Sequence, residues 1–80
     1  MTEAELAFLK SQIDKVVVLE TVQGDHFLAQ VLFVFDEGDT PDVFFNEVEL
    51  GPDGTYIEKG RSGHSLLLSD ILTVQPPPSA

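Results

Sequence analysis

Asp36, Glu37, Asp39 and Asp42 place four carboxylates within the seven residues DEGDTPD. Hard cations such as calcium take several oxygens from a flexible loop, so binding of a divalent cation is one chemistry open to this stretch. The spacing departs from that of the EF-hand calcium loop, and no bidentate glutamate follows at the required offset. A solvated turn whose charges discourage edge-to-edge aggregation is the simpler expectation. His26 and His64 are the two histidines, and the chain has no cysteine, so nothing falls at metal-ligand spacing. Ser62, Ser65, His64 and Asp70 include the residue types of a nucleophilic triad. Triads are defined by geometry, however, and short strands point alternate residues apart. No nucleophile elbow accompanies them. The chain therefore reads as non-enzymatic, with no catalytic residue and no resident metal or cofactor expected. Lys59, Arg61 and His64 form the one locally basic loop. It could hold an anion on the backbone N–H groups of Gly60 and Gly63, or simply offset nearby acids.

Charge narrows the partners. Fourteen Asp and Glu face four Lys and Arg, for a formal net charge of −10. Nucleic-acid affinity is built largely from Lys and Arg on phosphates, so this balance disfavours it, and anionic membranes repel the chain as well. The N-terminal stretch MTEAELAFLK lacks both a basic n-region and a long apolar run, so no secretory signal is expected there. The apolar runs at 16–19 and 31–35 are far shorter than the roughly 20 residues of a membrane span. A soluble, cytoplasmic protein is the expectation. At 80 residues, a single small domain buries only about 60–65% of the surface its unfolded chain exposes. Without disulfides, stability must come from packing, aided by burial against further copies.

The elements that would position these residues are mostly strands. Residues 25–50 hold five of the six phenylalanines and the longest alternating apolar pattern, broken in the middle by the acidic turn. They predict two long antiparallel strands, 26–35 and 43–50. In the first, Phe27, Ala29, Val31, Phe33 and Phe35 share one face, and Leu28, Gln30, Leu32 and Val34 share the other. Residues 15–22, KVVVLETV, predict a preceding strand, joined to the next by a tight turn at Gly24. Residues 2–12 predict a short helix with a capping box between Thr2 and Glu5 and an apolar stripe of Leu6, Leu9 and Ile13. Gly51-Pro52-Asp53-Gly54 is a turn, after which 55–58 briefly extend the hairpin. Residues 65–68 and 71–75 predict two short strands around a 3₁₀-type corner at Ser69-Asp70, with Asp70 capping it. Residues 1–75 form the domain, and 76–80 an extended proline-rich tail. Phe8, Phe44, Phe45 and Tyr56 are the aromatics expected to leave the core.

A short helix, three long meandering strands and two short strands about a tight corner is the element order of an Sm-like barrel. Locally, VVLETVQGDHFLAQVLFVFD at 17–36 resembles that family's first motif: an apolar strand, the turn glycine Gly24, the aromatic Phe27, and a second strand ending in Phe35-Asp36. Residues 44–50 are similar to the third strand, and 66–74 occupy the place of the second motif. The resemblance implies an all-β fold, a small five-stranded Sm-like or, more loosely, SH3-like barrel with a short N-terminal helix. It also implies RNA-binding loops at Asp36, Asp42, Ser69 and Asp70. At those positions this chain carries Gly-Asp-Thr-Pro-Asp and Ser-Asp, where RNA-binding members of the family carry an asparagine and an arginine-glycine pair. Both departures add acid or remove a phosphate-binding donor.

The expectation that follows is a non-enzymatic interaction module that forms homo-oligomers through its sheet edges. Leu66, Leu67, Leu68, Ile71 and Leu72 would supply the interface. RNA binding through degenerate loops and cation binding on the acidic loop stand as alternatives.

Overall fold

A computed structural model describes residues 1–60 and 63–77. Arg61 and Ser62, named above for the basic loop and the triad, lie outside the described residues, as do the last three residues of the tail. The order is α1 (Glu3–Lys10), β1 (Val16–Thr21), β2 (His26–Phe35), β3 (Asp42–Leu50), β4 (Tyr56–Glu58), β5 (His64–Leu67), a 3₁₀ corner (Leu68–Asp70) and β6 (Ile71–Gln75).

The helix starts where the capping chemistry dictates. Thr2 Oγ1 accepts the Glu5 N–H at 3.1 Å, and Glu5 Oε1 accepts the Thr2 N–H at 3.2 Å. It ends at Lys10, two residues earlier than the sequence pattern suggests. Ile13 therefore leaves the stripe and is 38% exposed, while Leu9 is fully buried and Phe8 packs against the core. An eight-residue helix is not stable alone, so burial of Leu9 holds it in place.

The described strands form one antiparallel sheet in the order β4-β3-β2-β1-β6, with β5 also paired to β3. Six strands are present where five are expected, because the hairpin extension at 55–58 makes its own short ladder, Val48–Leu50 against Tyr56–Glu58. β5 lies against the start of β3, and β6 against β1, so the corner Leu68–Asp70 carries the chain from one side of the sheet to the other. No ladder joins β5 to β6 among the described residues. Asp70 does not cap the corner with its side chain. Instead the Ile71 N–H donates to Leu68 O, and the Asp70 carbonyl accepts the Val22 N–H at 2.9 Å.

The core is made by Leu9, Val17, Leu19, Ala29, Val31, Val43, Phe45, Ile71 and Val74. In β1 the alternation holds: Val17, Leu19 and Thr21 point inward. In β2 it does not. The register runs Val31 against Phe45 and then Phe33 against Phe44, leaving Leu32 as an extra residue. Such a bulge reverses which side chains face the core beyond it. Phe33 and Phe35, expected on the core face with Ala29 and Val31, are instead 54% and 45% exposed, and Val34 packs inward. The backbone of Val31 beside the bulge is pinned from β1's side. Its carbonyl accepts the Asp14 N–H at 2.7 Å, and its N–H donates to Lys15 O at 2.9 Å. Asp14 adopts a left-handed φ of 68° to make this approach.

Candidate functional site

The carboxylates of the acidic turn are drawn apart. Asp36 pairs with Lys10 Nζ at 2.6 Å, which ties the end of β2 to the last turn of α1 and holds the Asp36 carboxyl below the usual aspartate range. Asp42 has left the loop and begins β3. Among the described residues no group of three or more His, Asp and Glu side chains is placed to hold a metal ion.

The residue types of a triad are not brought together either. His64 turns inward, its ring 5.7 Å from that of Phe45, and its Nε2 has no hydrogen-bond partner. Ser65, the next residue on β5, is exposed on the other face. Asp70 lines a hollow of about 140 Å³ with Thr21, Gln23, Asp25, Phe27 and Leu66, but neither His64 nor Ser65 reaches it. His26 is an exposed neighbour of Glu20, with Nε2 3.5 Å from Oε2. Lys59 lies 3.7 Å from Glu47, so this cation of the basic loop already faces a carboxylate.

The four positions implied by the family's RNA loops divide. Asp36 and Ser69 do come to one shallow hollow, of about 310 Å³, beside Met1, Thr2, Glu3 and Leu6 at the start of α1. Asp42 lies on β3, and Asp70 lines the smaller hollow. The acids Glu3 and Asp36 border the larger hollow, and no Lys or Arg side chain lines it among the described residues.

The five apolar residues expected at an interface also divide. Leu67 and Leu72 are 42% and 48% exposed. Leu66 and Leu68 are half-buried against the core, and Ile71 is fully buried, so Ile71 offers no side chain to a partner and the other two offer only part of theirs. The backbone edges differ as well. The N–H of Val74 on β6 donates to Glu5 Oε2 at 3.1 Å, so α1 shields part of that edge. The helix packs beside β6.

The alternation pattern missed one surface. Beyond the bulge, three strands present a grid: Phe33 opposite Phe44 opposite Ser65, and Phe35 opposite Asp42 opposite Leu67. Directly paired residues share a face. The intervening row, Val34, Val43 and Leu66, faces the core. Phe33 and Phe35 stack with ring centroids 6.4 Å apart. The one available signal was the excess of phenylalanine in a strand with too many apolar residues for a single buried face.

Among the described residues no helix is long and apolar enough to cross a membrane. No protein-family model matches the chain, and neither does any curated protein or any solved structure.

Proposed function

We propose that the protein is a non-enzymatic assembly module, an Sm-like or SH3-like small barrel that joins copies of itself through sheet edges. The observation that carries this reading is the pairing of β5: it is bonded to β3 on one side, it lies off the main strand order, and Leu67 is exposed on it. A strand with one unpaired edge is a template for another strand. Leu66, Leu68 and Ile71 hold β5 and β6 to the core, which keeps such a template rigid. The three-residue corner takes the chain from β5, beside β3, to β6, beside β1, a short crossing that favours a strongly curved sheet. β5 is the primary edge, since β6 engages fully only if Glu5 releases Val74.

Each copy carries a charge of −10, so association should strengthen as salt screens the repulsion. Light scattering at micromolar concentration and raised salt should give a mass above that of one chain, and Leu67→Lys should return it to one chain. A single-chain mass under all conditions would defeat the proposal.

A further inference from the structure

We infer that the outer face of β2, β3 and β5 is a docking site for a basic, amphipathic segment of another protein, with a Lys or Arg seated on Asp42. The inference concerns a strand face and does not depend on edge pairing. Three observations carry it.

The first is that this face is apolar and uncovered. Phe33, Phe35, Phe44 and Leu67 are each between 42% and 54% exposed on adjoining positions of three strands. Neighbouring strands lie about 4.8 Å apart, so the four side chains form one continuous patch about 10 Å across. Scattered apolar residues are ordinary on a surface, whereas a contiguous aromatic patch marks a contact site. The bulge at Leu32 creates it, by turning two phenylalanines outward that unbroken alternation would bury.

The second is the carboxylate within it. Asp42 sits between Phe35 and Leu67 in one row, with Phe44 two residues along the same strand. Among the described residues its side chain has no ion pair and no hydrogen bond, whereas Asp36, at the other end of the same turn, is matched by Lys10. A carboxylate flanked by aromatic rings suits a basic side chain twice over, through the charge and through the faces of the rings.

The third is the sign of the surroundings. Glu37 and Asp39 lie on the turn joining the two strands, and the whole chain is at −10. Charge complementarity therefore selects a cationic partner and disfavours a second copy, which would bring Asp42 and the acidic turn of one molecule against those of another.

The chain has no tryptophan, so a tryptophan-bearing peptide reports its own burial without background. The test titrates the full chain into three short synthetic peptides. One carries Leu and Trp on one helical face and Lys and Arg on the other; the second replaces the basic residues by Glu; the third keeps the charges and replaces Leu by Ser. The first should bind with a blue shift of tryptophan emission, more weakly as salt rises, and the other two should not. Asp42→Asn, nearly isosteric and at a half-buried position, should weaken binding about tenfold, as should Phe44→Thr. Far-UV circular dichroism should match the parent in both. The proposal is overturned if the first peptide does not bind, if either sister peptide binds as well, or if both variants bind like the parent. It is also overturned if Phe44→Thr converts an oligomer into single chains, because a second copy then covers the face.

Discussion

Glu5 Oε2 accepts the N–H of Val74 at 3.1 Å, across 69 positions of sequence, while Oε1 of the same carboxylate accepts the N–H and the hydroxyl of Thr2. One side chain thus starts the helix and occupies a hydrogen-bonding position on the edge of β6. Sheet edges are usually guarded by charge or by a covering element, and here both devices meet in one residue.

The first prediction concerns acid. The Val74 N–H, and then the Thr2 N–H, hold the Glu5 carboxyl below its ordinary value of 4.5. A group with a lowered folded pKa binds its proton more readily in the unfolded chain. Its stabilisation is therefore complete above the unfolded value and is lost as pH falls through the lowered one. The melting temperature should drop as pH goes from about 6 to about 3, and Glu5→Gln should start lower and drop less. Asp36 and Asp53 are lowered too, by Lys10 and by Thr55, so some slope should persist in the variant. A variant with the parent's full slope would remove Glu5 from the account.

The second prediction concerns the turn between β1 and β2. Thr21 is buried, and its Oγ1 accepts the N–H of Gln23 at 3.3 Å and of Asp25 at 3.2 Å. Gly24, at φ 92°, lets the chain reverse and donates its own N–H to Thr21 O. Thr21→Val keeps the shape and removes the acceptor. It should cost about 1–3 kcal/mol in urea unfolding, the range for leaving part-buried donors unmatched.

The third concerns the docking of α1. Leu9 is the helix's only fully buried residue and sits among the core side chains. Leu9→Ala should cost about 2–5 kcal/mol. For a domain of this size that is a large part of the total stability of roughly 5–10 kcal/mol. Thermal melts followed at a helical wavelength should show the loss. A cost below about 1 kcal/mol would mean that the helix contributes little to the core.

Much of this fold is legible in the chain because local chemistry and long-range packing agree. Thr2 and Glu5 start the helix, Gly24 turns the first hairpin, and the strands at 26–35 and 71–75 match the observed bounds. What could not be read is set by non-local partners. Nothing near Leu32 in sequence announces a bulge; it arises because Val31 is bonded to Asp14 and Lys15 while Phe33 must meet Phe44. The burial of Ile71, the inward turn of Leu66 and Leu68, and the entry of Asp42 into β3 likewise depend on neighbours distant in sequence. The outer patch was hidden for the same reason: strict alternation keeps Phe33 and Phe35 on the face of Ala29 and Val31, and of its three phenylalanines only Phe44 is expected outside the core.

The bulge makes the last prediction, because the two phases of β2 give opposite results. If alternation ran unbroken from Ala29, Phe33 and Phe35 would be core residues, and replacing either would cost about 3–5 kcal/mol, as for any buried phenylalanine. With Leu32 as the extra residue, both side chains lie outside, and Val34 takes the inward position between Phe33 and Phe35. Phe33→Thr and Phe35→Thr keep a strand-forming side chain and should each change stability by less than about 1 kcal/mol. Phe45→Ala, at 3% exposure and in contact with both Phe27 and His64, should cost the full buried amount of about 3–5 kcal/mol. Val34→Asp should be more damaging than Phe33→Asp, since it places an unpaired charge against Val43 and Leu66. Urea midpoints for these variants order the two faces of the strand directly. If Phe33→Thr proved as costly as Phe45→Ala, the strand would be in the unbroken phase, and the aromatic surface with its proposed basic partner would not exist.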